Sequence, residues 1–330
     1  MKKILSKICF VILIFSVLLQ SGCSFEDKES INDENGTSSA AEAEDKEFLN
    51  KELLECIGKP KSEIEEKYGK ISASYYYIGG KYYMHGSLKT AMYYDTDEYN
   101  YDIDDDLASY SVCIALEANL AELFMDSSKE YYTMEELVEV FGEYEFIDDL
   151  ANEEMGPSCF YKFTYGDYVL TVESDHKNPT AKGIAVYSKK SAGTKSIGGI
   201  ELHEDAADVI DLLGEPESKG EAKFQDATGE TVQKWNYPSK GIELEMLLTE
   251  YGQSVNGILV QSPCTLKMPS GIGIGSSVSD LHRVYKDGID PEENFIDHAT
   301  VVGTIYDGII FYHDLENKKV VSIIIGAIAE

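Results

Sequence analysis

A short helical pattern recurs four times along this 330-residue chain, at intervals of 72 or 73 residues. Each copy has an aliphatic residue followed four positions later by a second apolar residue, and three copies then have glycine. This spacing places both apolar side chains on one helix face, and glycine supplies the positive φ that commonly ends a helix. The chain is therefore predicted to fold as a series of similar small units. The first apolar residues of the four copies are Ile64, Leu137, Val209 and Leu281.

The residues that begin the four predicted helices keep the same register. Thr133 and Glu136 have the spacing of a capping box, in which each side chain bonds the other residue's backbone N–H. Asp205 and Ser277 stand at the same position in later copies, and Pro60 in the first copy suits an initial helical turn. The start, the buried face and the stop of the helix thus repeat together.

Strand patterns follow each predicted helix. Residues 168–172 and 242–246 alternate apolar and polar side chains with a period of two, which is typical of a sheet with one wet face. We predict an α+β fold of four repeats of about 72 residues, each a short helix followed by a three-stranded antiparallel sheet. The first repeat has an additional tyrosine-rich hairpin at residues 75–94. The repeats are expected to pair into two domains, residues 48–190 and 191–330, joined by a linker-like stretch at 189–195.

This glycine-terminated helix with its following strands resembles the repeat of β-lactamase inhibitor proteins. It is also similar to the small lipoprotein of outer-membrane β-barrel assembly, and to Gram-positive lipoproteins that carry the repeat in tandem. The resemblance covers residues 54–330 and lies in the helix stops and strand patterns. It implies protein binding by the concave face of the sheet, and it implies no catalytic residue.

The first 22 residues have the pattern of a signal peptide. A basic head precedes an apolar run at residues 8–19, which is shorter than the roughly 20 residues that a membrane-spanning helix needs. Ser21-Gly22-Cys23 then resembles a bacterial lipoprotein cleavage site, although Gln20 stands where an aliphatic residue is usual. We expect Cys23 to carry lipid and to anchor the protein on the extracytoplasmic face of the membrane. The alternative is an ordinary secretory signal with an incidental cysteine.

Residues 23–47 are predicted to form an acidic, disordered tether, since they contain nine acidic residues and two lysines without apolar periodicity. The acidity continues beyond it, because the chain has a formal net charge of −32, with −15 in residues 48–190 and −13 in residues 191–330. Arg283 is the single arginine. A chain of this sign is not expected to bind nucleic acid, and a charged protein partner should be basic.

The sequence lacks the motifs of known catalytic centres. The six histidines are scattered, and no zinc-protease, serine-hydrolase, phosphate-loop or Cys-x-x-Cys pattern occurs. The glycines at 271–275 resemble a phosphate loop, but the following helix lacks the required lysine and their position matches the start of a repeat. We therefore predict no catalytic residue and no cofactor.

Four cysteines remain after setting aside Cys9 and Cys23. They occupy no shared position in the repeats, and three pairings are possible, so buried free thiols are favoured over a disulfide framework. These four residues are Cys56, Cys113, Cys159 and Cys264.

An acidic segment at residues 95–106 contains seven acidic residues in twelve. Its alternate aspartates, Asp102, Asp104 and Asp106, have the spacing of calcium ligands, but the glycine of an EF-hand loop is missing. A solvated loop is favoured, with calcium binding as the alternative.

Ten of the 23 tyrosines lie between residues 75 and 110. A strand can bury only one of two adjacent side chains on a given face, so several rings must reach the wet face. They either pair across strands or form a binding surface, for which tyrosine is well suited. The candidate binding residues are Tyr75, Tyr76, Tyr77, Tyr82, Tyr83, Tyr93 and Tyr94.

Together these patterns predict a lipid-anchored, extracytoplasmic protein-binding module without catalytic activity. Two alternatives remain open at this point. One is an inhibitor of a cell-wall or secreted enzyme, and the other is an enzyme of unrecognised type.

Overall fold

The fold is α+β, as predicted, with two antiparallel sheets and a few short helices. It is seen in a computed structural model that describes residues 49–77, 80–95, 107–129, 131–147, 159–174, 183–188, 193–226, 228–289, 294, 297–304 and 308–326. No helix in these ranges is long and apolar enough to cross a membrane.

The helices are α1 (Lys51–Leu54), α2 (Lys61–Tyr68), α3 (Leu120–Leu123), α4 (Met134–Phe141), α5 (Ala206–Leu213) and α6 (Val278–Val284), with a 3₁₀ turn at Pro238–Lys240. The strands of the first sheet are β1 (Ile71–Tyr77), β2 (Gly80–His85), β3 (Ala91–Tyr94), β4 (Cys113–Asn119), β5 (Tyr144–Ile147), β6 (Cys159–Tyr165), β7 (Tyr168–Ser174) and β8 (Gly183–Ser188). Those of the second are β9 (Ser218–Lys219), β10 (Lys223–Gln225), β11 (Glu230–Tyr237), β12 (Ile242–Thr249), β13 (Gly252–Gln261), β14 (Ala299–Val302), β15 (Ile309–Asp314) and β16 (Lys319–Ile325).

The two sheets are assembled in the same way. The first has the order β1-β2-β3-β4-β8-β7-β6-β5, so two runs of consecutive strands meet through their last members, β4 and β8. The second has the order β10-β11-β12-β13-β16-β15-β14, with β9 also paired to β11, and its runs meet through β13 and β16. Both central pairs are antiparallel, with Leu116 opposite Val186 and Val260 opposite Ile323. All four of these side chains are buried.

The four repeated helices lie against one face of the sheets, two on each sheet, and the short helices α1 and α3 also pack into the first core. Ile64 of α2 and Leu137 of α4 share the first core, while Val209 of α5 and Leu281 of α6 share the second. Each of the four is at most 2% exposed. The aliphatic residues that repeat in the sequence are therefore the contacts that hold the helices to the sheets.

Each of the four repeated helices begins at the predicted residue, although the hydrogen bonds at the N-caps differ. Thr133 and Glu136 form the complete capping box, and the Ser277 hydroxyl accepts the Asp280 N–H at 3.0 Å. Asp205 is at the N-cap without a side-chain hydrogen bond to its helix, and Pro60 is also the N-cap rather than part of the first turn.

Glycine ends α2, α4 and α5 with the predicted positive φ, although its ψ lies outside the left-handed helical region. Gly69, Gly142 and Gly214 have φ of 92°, 84° and 81° with ψ near ±180° (169°, −156° and 179°). This extended region at positive φ is almost restricted to glycine, because any Cβ would clash with the backbone. The chain consequently leaves each helix directly as an extended segment towards the sheet.

The number of strands after the repeated helices is not always the predicted three. Four strands follow α2, four follow α4 and five follow α5, whereas three described strands follow α6. The additional strand β5 lies at a sheet edge, where Tyr144 and Phe146 are 44% and 52% exposed. This strand has only four residues, which are too few alternating positions to reveal a strand in the sequence.

The predicted linker is not a solvated spacer where it is described. Thr194 is 5% exposed; its N–H donates to Asp95 Oδ2 at 2.7 Å, and its Oγ1 accepts the Val112 N–H at 3.2 Å. Nearby, the ring of Tyr110 lies 4.9 Å from that of Tyr285, which belongs to the second core. The two halves of the chain are thus joined through a packed contact.

Replacing Gly214 by alanine should lower the free energy of unfolding by about 1–3 kcal/mol, because alanine would be forced into a glycine-only conformation. Beyond the neighbouring residues, an added Cβ would meet no atom within 4 Å, so the loss would come from the local backbone conformation and not from tertiary crowding. Gly220→Ala is the matched control, since Gly220 lacks a positive φ and its Cβ would make only ordinary contacts. Urea unfolding would measure both variants, and equal midpoints for the two would contradict this account.

Candidate functional site

The first sheet has a second apolar cluster on the face that points away from the helices. Tyr83 and Met92 belong to the core that contains Ile64 of α2, whereas Tyr93 and Ala115 form a separate cluster. Because successive side chains of a strand point to opposite faces, this second cluster lies on the far side of the sheet. We call this side, marked by Tyr93, the open face.

Three tyrosines form a row across the open face. Tyr75 of β1 is directly opposite Tyr82 of β2, and their rings stack with centroids 5.3 Å apart. The ring of Tyr82 lies 5.8 Å from that of Tyr93 on β3. Exposure falls along the row, from 48% for Tyr75 at the sheet edge to 2% for Tyr93 near the centre. The row therefore leads from solvent towards the middle of the sheet.

The other candidate tyrosines do not belong to this row. Tyr83 and Tyr94 are 9% and 6% exposed and lie in the helix-side core, so their assignment to a binding surface is wrong. Tyr76 is half exposed but points to the opposite side of β1, where the Lys81 amine lies 4.7 Å from its ring centroid. The side chain of Tyr77 lies outside the part of the chain that the structure describes.

The row continues over small residues at the centre of the sheet. One alanine of β4 lies between Tyr93 of β3 and Tyr187 of β8. On the neighbouring row, Glu117 of β4 also lies between two alanines, one on each adjacent strand. Along both rows, the large side chains of Tyr93, Tyr187 and Glu117 therefore alternate with alanines on the neighbouring strands. The three alanines are Ala91, Ala115 and Ala185, and each is at most 8% exposed.

Glu117 is the principal ionisable group at this centre. The Tyr93 hydroxyl donates to its Oε2 at 3.2 Å. The pKa of Glu117 is raised to about 7, chiefly by burial; the bond from Tyr93 lowers this pKa, and the nearby Glu173 raises it. This carboxyl group therefore changes its charge close to neutral pH.

Two further polar residues extend the Glu117 row. Thr171 of β7 is opposite Ala185, and Lys162 of β6 is opposite Thr171. Lys162 is bonded to Glu145 on β5 at 2.9 Å, so its charge is already matched. The open face thus combines a tyrosine row with a neighbouring row of polar and charged side chains.

The sequence analysis missed Glu117, Thr171 and Tyr187. Glu117 was detectable in principle, because it is the one charged residue in the strand CIALEAN. A carboxylate inside an otherwise apolar strand indicates either a wet face or a polar site. Its neighbours could not be identified in this way, because β4 and β8 pair across about 70 residues of sequence.

The lipidation and calcium candidates cannot be placed. Cys23 and the three aspartates Asp102, Asp104 and Asp106 lie outside the described residues. Within the described ranges, no group of three or more His, Cys, Asp or Glu side chains is placed to hold a metal ion.

Three cysteines are buried free thiols, as favoured from the sequence: Cys56, Cys113 and Cys264. Burial raises the pKa of Cys56 to about 11, which keeps this thiol protonated and unreactive. The side chain of Cys159 is not among those described.

His85 is a core residue. It is fully buried, with Nδ1 3.1 Å from the Gly69 carbonyl oxygen and Nε2 2.7 Å from the Tyr94 hydroxyl. Both ring nitrogens therefore have partners within the first core, which explains a histidine there without a catalytic role.

Comparison with known proteins identifies no family for this chain. No protein-family model matches the chain, and no curated protein matches it. One solved structure is weakly similar, that of an extracellular protein containing a SCP domain from Bacillus anthracis. The sequences are 13% identical and the TM-score is 0.28, over 38% of this chain and 44% of that chain, so the match spans less than half of either.

Substitution of Glu117 by glutamine should stabilise the protein at pH 8 but not at pH 5. In the unfolded chain the carboxyl loses its proton near its ordinary pKa of 4.5, whereas in the folded protein it keeps the proton up to about pH 7. Stability from this group is therefore present at low pH and is lost as the pH rises through 7. Relative to wild type, Glu117→Gln should gain about 1–3 kcal/mol at pH 8.

The control for this experiment is Glu63→Gln, which removes the same charge from the exposed surface of α2. Urea unfolding at both pH values gives the difference between each variant and wild type. If Glu117→Gln and Glu63→Gln show the same dependence on pH, Glu117 does not titrate as described.

Proposed function

We propose that this chain is a lipid-anchored, extracytoplasmic binding protein without catalytic activity, which contacts a protein partner through the open face of the first sheet. The observation that carries the proposal is the row Tyr75–Tyr82–Tyr93, which begins at a half-exposed ring and continues to the sheet centre. Tyrosine provides a large contact area at a small cost in side-chain entropy, and its hydroxyl remains compatible with water.

The charge of the chain supports a basic partner. Both halves are strongly acidic, and the open face contains Glu117 and Glu173 beside the tyrosines. Complementary charge accelerates association and disfavours acidic partners. The same sign argues against nucleic acid as a ligand.

We also propose that the chain consists of four copies of one unit, two in residues 48–190 and two in residues 191–330. Three helices are joined to the last strand of their own run by the same pair of backbone bonds. The residue two before the N-cap has positive φ and donates its N–H to the strand, and the strand returns a bond to the following residue. The three donors are Gly58, His203 and Gly275, and their respective acceptors are the carbonyl groups of Cys113, Val255 and Val320.

For the anchor, the proposal is cleavage before Cys23 and lipid modification of its thiol, with residues 23–47 as the tether. The support is the apolar run at residues 8–19 followed by Ser21-Gly22-Cys23. Two or more acyl chains hold a protein stably at a membrane, where a single chain does not.

Lipid modification can be tested by growing cells that express the chain with an alkyne analogue of palmitate. Wild type should be labelled and should fractionate with membranes, whereas Cys23→Ser should be unlabelled. Cys264→Ser is the control, because that thiol is buried in the second core. An unlabelled, freely secreted wild-type protein would refute the anchor.

Protein binding can be tested by capture from a surface extract with the full mature chain. The double variant Tyr75→Ser/Tyr82→Ser should lose at least nine-tenths of a captured partner. The matched control is Tyr131→Ser/Tyr251→Ser, which removes two exposed rings, 55% and 81% accessible, outside this row. If the two double variants recover equal amounts of every captured protein, the tyrosine row is not the binding surface.

A further inference from the structure

The outer edge of β5, at one end of the first sheet, presents two aromatic side chains to solvent. Tyr144 and Phe146 are 44% and 52% exposed, and β5 is the last strand in the order of its sheet. Both rings lie on the helix side of the sheet, because they are opposite Phe163 and Tyr161, which belong to the first core. We call Tyr144, Phe146 and the outer edge of β5 the β5 ledge.

The two rings of the ledge continue the aromatic packing of the core. The ring centroid of Tyr144 lies 5.3 Å from that of Tyr161 and 5.8 Å from that of Phe163. The ring centroid of Phe146 lies 5.6 Å from that of Tyr161. All three pairs have the edge-to-face geometry that aromatic rings favour. The ledge is therefore an apolar surface whose rings are held in place by buried neighbours.

The opposite side of β5 is acidic. Glu145 alternates with the two rings and is bonded to Lys162 at 2.9 Å, yet 68% of its side chain remains exposed. Glu143, directly before the strand, is also exposed. A strand that paired with β5 would match it best with apolar residues on the helix side and basic residues on the other side.

The backbone of β5 favours an extended ligand. An edge strand presents a row of unpaired N–H and C=O groups, which proteins commonly protect. The edge strand β14 of the second sheet has such protection, since the Asn294 side chain accepts the Val301 N–H at 2.7 Å and donates to the Val301 carbonyl at 3.0 Å. Among the described residues, no side chain is bonded in this way to the backbone of Tyr144, Glu145 or Phe146.

We infer that the β5 ledge binds a protein by strand addition, in which an extended segment of alternating apolar and basic residues pairs with β5 as a further strand of the first sheet. The segment's backbone would bond the outer edge, and its apolar side chains would cover the two rings. Its basic side chains would lie beside Glu143 and Glu145. This inference goes beyond the proposed function, because β5 and the strand β1 that carries Tyr75 are at opposite ends of the sheet.

A second copy of the chain is a poor occupant of this edge. Two antiparallel β5 strands would place Glu145 of each copy on the same face as the carboxylates of the other copy, and residues 48–190 of each copy carry a net charge of −15. Like charges that face each other across strands are destabilising, whereas a basic strand would neutralise them. The charge of the edge therefore selects a basic segment over self-association.

The test uses the full mature chain at 150 mM salt and the dye-labelled peptide Lys-Val-Lys-Val-Lys-Val-Lys-amide, with dissociation constants from fluorescence anisotropy. This peptide should bind at least about tenfold more tightly than Lys-Lys-Val-Val-Val-Lys-Lys-amide, which has the same composition and charge without the alternation of a strand. Equal affinity for the two peptides would mean that only charge and composition matter, and would overturn the inference.

Pairing through the backbone is tested with N-methyl groups. A strand bonds its neighbour through every second residue, so methylation of alternate nitrogens blocks one edge of the peptide and leaves the other edge able to pair. Of the two forms, methylated at the lysines or at the valines, one should lose at least about tenfold in affinity and the other should bind more tightly than it. Equal binding of both methylated forms and the parent peptide would overturn strand addition.

The site is tested with Tyr144→Ser/Phe146→Ser, which should weaken binding of the alternating peptide at least about tenfold. The matched control is Phe224→Ser/Tyr251→Ser, which removes two rings, 64% and 81% exposed, from the second half of the chain and should change affinity less than about twofold. Equal losses in the two double variants would overturn the assignment to the β5 ledge.

Tyr75→Ser/Tyr82→Ser separates this inference from the proposed function. If it loses peptide binding while Tyr144→Ser/Phe146→Ser does not, the peptide binds the tyrosine row, which overturns the inference and leaves the proposed function standing. If it leaves partner capture unchanged while Tyr144→Ser/Phe146→Ser loses peptide binding, the ledge is supported and the tyrosine row is refuted. A wild-type dimer in sedimentation that Tyr144→Ser/Phe146→Ser dissociates would assign the edge to a second copy and overturn the inference.

Discussion

The antiparallel pairing of β4 with β8, and of β13 with β16, is the contact on which the rest of the structure depends. A short helix with three or four strands buries too little apolar surface to be stable alone. When two last strands pair, the sheet doubles and two helices share one core. The open face is also built at this junction, because Glu117 and Ala185 come from opposite sides of it. Stability and the candidate site therefore share one physical origin.

The features that could be predicted from the sequence are local ones. Helix start, buried face and stop depend on residues within about ten positions, and the structure places Thr133, Leu137 and Gly142 as the pattern indicates. The order of strands in the sheets could not be predicted from the sequence, because it depends on contacts between residues about 70 positions apart. The edge strand β5 was missed for a different reason, since a strand of four residues offers too few alternating positions to be recognised.

The candidate site shows the same division. Its tyrosine content was evident, but the face of each ring depends on strand register, which a bulge shifts between Tyr93 and Tyr94. Both of these residues are buried, yet Tyr93 lies on the open face and Tyr94 in the helix-side core. Composition thus indicated the tyrosine-rich region, and only the register shows which face of the sheet each ring occupies. Glu117 acquires its importance entirely from the strands on either side of it.

The packed contact between the two halves determines how much freedom a bound partner would remove. Thr194 is hydrogen-bonded to Asp95 and Val112, and the tilted rings of Tyr110 and Tyr285 are in contact, so the two sheets are held together and do not move freely. A partner that touches both sheets meets surfaces whose relative orientation is already fixed. Association then costs little interdomain entropy, and weak contacts on the second sheet add almost their full strength to those on the first.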